Sequence, residues 1–376
     1  MSTLSRAEAR RLAGSTLVVG FDGTYPSDAL LARVSSGEVA GVILFRRNVQ
    51  STSQVRSLAR GLAAASTPPP IVAIDQEGGR VARLRDGVLP LPPMRALGDR
   101  DDLDLTRDAA RTLGEDLAAL GINLNFAPVC DVDSNPANPV IGDRAFGRVP
   151  DAVSRHARAF IVGMQSAGVA ACAKHFPGHG DTATDSHLEL PSLRHDRARL
   201  DAVELPPFRA AVDAGVATIM TAHVRFEAID PERPATLSSK VLGELLRGGL
   251  LAGRGDVAVV SDDLLMKAVS ARWPVERAAV LAVEAGCDML LVCDDEAAQH
   301  RCLEALADEA RRAPAFAARL GEAAGRVDSL RRRWPSRALA NDDALEAFLR
   351  RGARRGVEDA LASRAPAEAG RDPTER

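Results

Sequence analysis

Eight short, nearly continuous apolar runs recur along the chain, and longer stretches of helical character separate them. The runs are residues 15–21, 41–45, 70–75, 123–129, 169–175, 217–223, 256–262 and 287–293. Uninterrupted apolar runs of this length are typical of parallel strands that are covered on both faces. Strands that alternate with helices predict an α/β protein. Eight such units favour a single (β/α)₈ TIM-type barrel, with an open doubly wound sheet as the structural alternative.

The barrel interpretation makes residues 1–340 one domain. Within it, we expect residues 297–334 to form two closing helices. Residues 341–376 are expected to be a C-terminal extension that begins as helix and ends in a disordered tail.

Composition restricts the class of function. Of the 376 residues 46% are hydrophobic and 26% charged, which is ordinary for a globular enzyme. A net charge of −3 and only 3% aromatic residues argue against a nucleic-acid partner. No apolar run reaches the roughly 18 residues of a membrane span, and the N-terminus does not resemble a signal peptide. We therefore expect a cytoplasmic protein without membrane contact. We also expect it to be a monomer.

The cysteines and three of the histidines are not predicted to have a role in function. The five cysteines are odd in number and form no CxxC pair, which predicts free thiols in a reducing compartment. His156, His195 and His300 lie in arginine-rich or surface stretches, and we expect them to be solvated.

Ionisable residues stand at the ends of five of the apolar runs. They are Asp75, Asp131, Lys174 with His175, His223 and Asp262. Buried charge is costly unless it is paired or put to use. In a barrel, the carboxyl ends of the strands form the active site. The sequence therefore predicts a polar pocket lined by carboxylates and bases.

The segment KHFPGHGDTATDSH, residues 174–187, has the highest density of residues that could act in catalysis or ligand binding. A zinc site could use His175, His179 and His187, but Pro177 and Gly178 keep the first two off one helical face. A phosphate-binding loop would need a lysine after its glycines in Walker fashion, and none follows.

The remaining interpretation makes this segment a mobile loop with Gly178 and Gly180 as hinges. The loop would carry Asp185 and His187 over the pocket. A carboxylate two residues from an imidazole can orient it and tune it to titrate near neutral pH, as an acid/base catalyst must.

Asp262 stands where an apolar strand gives way to a helix. Its carboxylate could point into the pocket as a nucleophile, or it could cap the helix. Asp263 would more naturally support the helix.

These segments closely resemble glycoside hydrolase family 3, in its bacterial β-N-acetylglucosaminidase branch. The matching segments are AIDQEGGRVARL (73–84), NFAPVCDVD (125–133), IGDRAFG (141–147), AKHFPGHGDTATDSHLELP (173–191), MTAHV (220–224) and SDDLLMKA (261–268). They occur in family order, and no catalytic position departs from the family pattern.

The resemblance implies a role for each matching residue. Asp262 would be the nucleophile that forms a covalent glycosyl-enzyme. His187, oriented by Asp185, would be the general acid and then the general base. Met220 and His223 would line the pocket near the substrate. The sugar hydroxyls would be held by Asp75, Arg83, Arg144, Lys174 and His175.

The implied activity is that of a retaining exo-enzyme without metal or cofactor. It would remove terminal N-acetylglucosamine from peptidoglycan fragments such as N-acetylglucosaminyl-1,6-anhydro-N-acetylmuramyl peptides. The alternatives are a family 3 β-glucosidase, a Schiff-base aldolase that uses Lys174, and a non-catalytic sugar-binding protein. Phosphate in place of water as the acceptor also stays open.

Overall fold

The computed structural model describes residues 4–186 and 188–362, and its centre is a closed barrel of parallel strands. The strands are β1 Leu17–Val19, β2 Gly41–Leu44, β3 Ile71–Ile74, β4 Leu124–Asn125, β5 Ala170–Phe176, β6 Thr218–Thr221, β7 Ala258–Asp263 and β8 Met289–Val292. Each strand pairs with its neighbours in chain order, and β8 pairs with β1. The predicted barrel is confirmed, and the open doubly wound alternative is wrong.

The fourth predicted strand is shorter than its apolar run. Only Leu124–Asn125 forms a ladder, and one further bridge joins Val129 to Lys174. Pro128 has no backbone N–H to donate to a ladder, which accounts for the interruption. Two small ribbons, Gln76–Gly78 with Val81–Ala82 and Ser192–Leu193 with Arg225–Phe226, lie outside the barrel.

Helices connect and surround the strands. The α-helices are α1 Arg6–Gly14, α2 Asp28–Ser35, α3 Thr52–Ala65, α4 Met94–Arg100, α5 Leu103–Leu120, α6 Pro150–Ser166, α7 Arg197–Arg199, α8 Leu205–Asp213, α9 Lys267–Ser270, α10 Val275–Ala285, α11 Glu296–Arg312, α12 Pro314–Arg333, α13 Asp342–Leu349 and α14 Gly352–Ala362. The connections from β5 to β6 and from β6 to β7 also contain the π-helical turns Leu200–Glu204 and Lys240–Leu250. Helix α5 ends at Gly121, whose left-handed conformation (φ +87°) reverses the chain before β4.

The inside of the barrel is a packed apolar core. Side chains such as Val18, Phe126 and Met289 fill it, and Leu330 and Trp334 from the end of α12 belong to the same cluster. The Nδ2 of Asn123, just before β4, donates to the carbonyl of Trp334 over 2.9 Å. The closing helix therefore seals the amino-terminal end, and the functional pocket lies at the carboxyl ends of the strands.

The two C-terminal helices pack against α5. The Arg351 guanidinium in the turn between α13 and α14 lies 2.8 Å from a carboxylate oxygen of Glu115 and 2.7 Å from one of Asp116. Burial is the main influence on Asp116 and raises the pKa of its carboxyl.

Residues 363–376, which include the tail expected to be disordered, lie outside the described residues. The division into a barrel of residues 1–340 and an extension stays a prediction.

The cysteines are free thiols, as predicted, and one histidine interpretation is wrong. All five cysteines are buried free thiols. His300 is exposed as expected, and His195 is half-buried beside Asp181. His156 is fully buried instead of solvated, because it lies on the inner face of α6, where its Nδ1 is 2.9 Å from Thr106 Oγ1.

In the described part of the chain, none of the helices has the length and apolar character needed to cross a membrane.

Candidate active site

Two β-bulges shape the carboxyl ends of the barrel strands. Val260 in β7 pairs with Met289 in β8, and Asp263 pairs with Leu291, so β7 advances three residues while β8 advances two. Ala173–Phe176 in β5 is aligned with Ile219–Thr221 in β6 in the same way. A bulge inserts one extra residue and redirects neighbouring side chains, often next to an active site. Both bulges fall on predicted site residues, namely Lys174, His175 and Asp262.

A cavity of about 610 Å³, including its open mouth, lies above these bulges. Seven of the residues predicted from the sequence line it together, namely Asp75, Arg83, Arg144, Lys174, His175, Met220 and Asp262. The convergence of carboxylates, cations and imidazole rings on one cavity matches the polar pocket expected from the strand ends.

A buried ion cluster lies at one side of the cavity. The Nζ of Lys174 is 2.8 Å from Asp75 Oδ1 and 2.7 Å from Glu77 Oε1. Arg144 binds Glu77 through two parallel hydrogen bonds, with Nε 2.9 Å from Oε2 and Nη2 2.8 Å from Oε1. Arg83 Nη2 completes the cluster 3.3 Å from Asp75 Oδ2. Three cations and two carboxylates thus share one desolvated site.

Burial opposes ionisation of Asp75, Glu77, Arg144 and Lys174, but attraction between opposite charges outweighs it. The Lys174 and Arg83 cations hold the pKa of Asp75 below its ordinary value. Arg144 and Lys174 likewise hold the pKa of Glu77 well below its ordinary value, and Glu77 raises the pKa of Arg144. The cluster is therefore fully ionised at neutral pH and presents fixed charges to a ligand.

Glu77 is a member of the cluster that the sequence interpretation missed. It lies in the matching segment AIDQEGGRVARL, two residues after Asp75, but received no role. The sequence interpretation placed Arg83, Arg144 and Lys174 in one pocket with Asp75. Because three buried cations need more than one nearby carboxylate, a second acidic residue such as Glu77 could have been expected there.

Replacement of Glu77 should be strongly destabilising. Glu77→Gln leaves Arg144 and Lys174 buried with one carboxylate fewer, and loss of one partner from a buried pair typically costs about 3–5 kcal/mol. Because the pKa of Glu77 is lower in the folded protein, its stabilisation is complete above about pH 4.5 and is lost as the pH falls below that value. Urea denaturation at pH 7 measures the loss.

The matched control for this prediction is Glu346→Gln. Glu346 forms an exposed pair with Arg350 on α13, and such pairs contribute about 1 kcal/mol or less. Equal free energies of unfolding for the two variants would contradict the structural role assigned to Glu77.

A second polar layer holds His175. The buried carboxylate of Asp131 accepts hydrogen bonds from His175 Nδ1 over 2.7 Å and from the backbone N–H of His179 over 2.7 Å. Burial opposes ionisation of Asp131, but these contacts hold the pKa of its carboxyl below its ordinary value. Asp131 was noted in the sequence only as a strand-end residue. In the structure it orients the His175 ring towards the pocket.

His179 lines the same pocket with both ring nitrogens engaged. Its Nδ1 is 2.8 Å from Thr182 Oγ1, and its Nε2 is 3.2 Å from Ser186 Oγ. Burial, assisted by the neighbouring His175, lowers the pKa of His179 to about 4. The ring is therefore neutral at physiological pH.

Asp262 is half-buried at the carboxyl end of β7. Its Oδ1 accepts a hydrogen bond from the backbone N–H of Asp263 over 2.8 Å. The buried Oδ1 of Asp263 accepts in turn from the N–H groups of Leu265 and Cys293, at 3.1 and 3.2 Å. Asp263 thus fixes the turn after β7, while Asp262 faces the pocket.

His223, expected near the substrate, lies beneath the pocket wall. It is buried, its Nδ1 is 2.8 Å from Thr236 Oγ1, and its Nε2 donates to the backbone carbonyl of Asp263 over 3.0 Å. The residues described as lining the cavity do not include it. Its contacts hold the backbone that carries Asp262.

The predicted acid/base pair is described only in part, because His187 lies outside the described residues. Asp185 is half-buried, and its carbonyl accepts from the N–H groups of Leu188 and Glu189 at 2.9 and 3.1 Å. Ser186, between the two predicted residues, is buried and lines the cavity. The structure therefore brings this loop to the edge of the pocket.

We expect activity to be independent of metal ions. Both ring nitrogens of His179 are engaged, by Thr182 and Ser186, which disfavours a zinc site that uses this residue. Within residues 4–186 and 188–362, no cluster of His, Cys, Asp or Glu is arranged to hold a metal. Exhaustive chelation should leave the hydrolysis rate unchanged. A loss of rate that added zinc restores would contradict this expectation.

Comparisons with known proteins agree with this geometry. The model of the glycosyl hydrolase family 3 N-terminal domain matches residues 15–330. A β-hexosaminidase of Alkalilimnicola ehrlichii is 44% identical over 298 residues, covering 78% of this chain and 84% of the relative. A family 3 β-N-acetylglucosaminidase of Paenibacillus superposes with a TM-score of 0.82 at 40% identity, covering 90% of this chain and 67% of that one. NagZ of Neisseria gonorrhoeae, solved with N-trifluoroacetyl-D-glucosamine, gives a TM-score of 0.76 at 32% identity, covering 93% and 97% of the two chains. The chain belongs to glycoside hydrolase family 3.

Proposed function

We propose that this protein is a retaining exo-β-N-acetylglucosaminidase. Its substrates would be peptidoglycan turnover fragments that carry a non-reducing terminal N-acetylglucosamine, such as N-acetylglucosaminyl-1,6-anhydro-N-acetylmuramyl peptides. The observation that carries the proposal is the Asp262 carboxylate, which lines the same cavity as a buried, ionised cluster suited to sugar hydroxyls. The similarity to a β-hexosaminidase and to a structure solved with an N-acylglucosamine supports this choice of sugar.

Asp262 would act as the nucleophile. The hydrogen bond from the Asp263 N–H fixes one carboxylate oxygen, and the bulge in β7 directs the side chain into the cavity. Attack on the anomeric carbon forms an ester bond as the glycosidic C–O bond breaks. Water then displaces Asp262 from the same carbon, so two inversions give overall retention.

The ion cluster would bind the sugar. Charged donors and acceptors make short, strong hydrogen bonds to hydroxyl groups, and they need no reorganisation here because their partners already hold them. We assign this role to Asp75, Arg83, Arg144, Lys174 and His175. Met220 supplies an apolar contact at the cavity wall.

The same cluster argues against a Schiff-base aldolase. An aldolase lysine needs a lowered pKa so that its amine is free to attack a carbonyl. Burial alone would lower the pKa of Lys174, but Asp75 and Glu77 outweigh it and raise that pKa. Lys174 is therefore a permanent cation, suited to binding and not to nucleophilic attack.

Proton transfer is assigned to His187, with Asp185 as its orienting carboxylate. His187 would protonate the departing glycosidic oxygen and later take a proton from the attacking water. The assignment is supported by Ser186, the chain neighbour of both residues, which lines the cavity. We place the activity in the cytoplasm, as the family resemblance implies, and propose that the protein is a monomer.

One assay distinguishes the candidate functions. The enzyme should release 4-nitrophenol from its β-N-acetylglucosaminide about 10²-fold or more faster than from its β-glucoside, since sites built around a polar group discriminate strongly against its absence. Comparable rates would favour a β-glucosidase, and no release from either would favour a binding protein. Faster cleavage of N-acetylglucosaminyl-1,6-anhydro-N-acetylmuramic acid than of chitobiose would support the peptidoglycan assignment.

A further inference from the structure

Ser186 is buried although residues near it in the chain are exposed. Ser186 is 3% exposed, whereas Leu188, two residues later, is 68% exposed. Ser186 makes two contacts to different parts of the barrel. Its Oγ is 3.2 Å from Nε2 of His179, and its backbone carbonyl accepts from the N–H of Ala268 over 3.2 Å.

The His179 side of this contact is buried and held by further hydrogen bonds. The backbone N–H of His179 donates to Asp131, and its Nδ1 is 2.8 Å from Thr182 Oγ1. In either tautomer of the neutral ring, Nε2 and the Ser186 hydroxyl can form a hydrogen bond, because a hydroxyl both donates and accepts. Burial keeps the ring neutral by lowering the pKa of His179 to about 4, so this arrangement persists across the physiological range.

The Ala268 side connects the loop to the nucleophile. Ala268 lies in helix α9, Lys267–Ser270, which begins four residues after β7 ends at Asp263. The turn between them is itself fixed by the hydrogen bonds that Asp263 accepts. A single residue therefore joins the end of β5, the loop and the segment that follows the nucleophile.

We infer that Ser186 is a positioning residue that clamps the acid/base loop closed over the pocket. The inference rests on the proposed function, because its consequence is the alignment of Asp185 and His187 with a glycoside held at Asp262. Ser186→Ala removes the clamp hydroxyl and keeps the backbone contact. Loss of one hydrogen bond of this kind should reduce the equilibrium constant for loop closure about 3- to 10-fold.

Two measurements test the clamp. Hydrogen–deuterium exchange of a peptide covering residues 181–190 should become faster in Ser186→Ala, because the loop opens more often. Hydrolysis of an N-acetylglucosaminyl disaccharide should fall by up to about 10-fold, in proportion to the loss of the closed fraction. The burst of 2,4-dinitrophenol from the corresponding aryl glycoside should keep its rate, since that leaving group departs without protonation.

The matched control is Thr184→Ala, which removes a hydroxyl from a half-buried position of the same loop. It should change neither the exchange rate nor either substrate. The clamp is overturned if Ser186→Ala exchanges like the wild type, or if both substrates slow equally, as a general packing defect would cause. The exchange measurement needs no turnover, so it still tests the clamp if the wild type fails to cleave N-acetylglucosaminides, a result that would reject the proposed function instead.

Discussion

Asp262→Ala should fold like the wild type and lose hydrolysis by about 10⁴-fold or more, the scale expected when a covalent nucleophile is removed. The backbone at this position is held by Asp263 and His223, so the loss of the carboxylate should leave the turn intact. Steady-state hydrolysis of 4-nitrophenyl β-N-acetylglucosaminide and a thermal melt measure the two halves of this prediction.

Chemical rescue makes the Asp262 prediction more specific. Azide can enter the space left by the carboxylate and attack an activated β-glycoside, which yields the α-glycosyl azide by a single inversion. The matched control is Asp256→Ala, which removes an exposed carboxylate just before β7 that pairs with Arg333. That variant should keep wild-type rates. Retention of more than a tenth of the activity in Asp262→Ala would reject Asp262 as the nucleophile.

His187→Ala should slow hydrolysis of an N-acetylglucosaminyl disaccharide by about 10²–10⁴-fold, the usual contribution of general acid/base assistance. A sugar is a poor leaving group and needs protonation, whereas 2,4-dinitrophenolate does not. Formation of the glycosyl-enzyme from the aryl glycoside, followed as a burst of dinitrophenol, should therefore be nearly unaffected.

Asp185→Asn should show a smaller version of the same pattern, because the imidazole remains but loses its charged partner. Glu189→Gln alters an exposed carboxylate on the same loop and should behave like the wild type. Equal losses on both substrates at the glycosylation step in His187→Ala would show that His187 is not the acid.

The barrel could be predicted from the sequence because its strands are buried on both faces. Each of the eight strands lies within one of the continuous apolar runs or extends one residue beyond it. The bulges could not be predicted. The residues from Lys174 to Phe176 continue β5, and only the register with β6 shows that an extra residue is inserted there. A bulge is a mismatch in length between two paired strands, so the sequence of one strand alone does not reveal it.

Site residues could be predicted where an ionisable residue stands out against an apolar run of the sequence. Asp75, Lys174 and Asp262 interrupt or end apolar runs, and all of them line the cavity. Glu77 and the role of Asp131 were missed because their importance lies in partners that are distant in the chain, such as Arg144 and His175.

His223 shows that a local signal can also mislead, because it was expected at the pocket but is not among the residues that line the cavity. Its strand-end position indicated the pocket, but its side chain binds the backbone behind the nucleophile. A strand end places a residue near the site without deciding which way its side chain points.

Identification of the residue that carries the sugar tests the central claim most directly. A 5-fluoro-N-acetylglucosaminyl fluoride should accumulate a covalent glycosyl-enzyme, because fluorine slows both steps and the good leaving group favours the first. Peptide mass mapping after digestion should find the label on Asp262, within the segment VVSDDLLMK. A label on Asp263 or Asp185, or turnover without any covalent intermediate, would contradict the mechanism proposed for this enzyme.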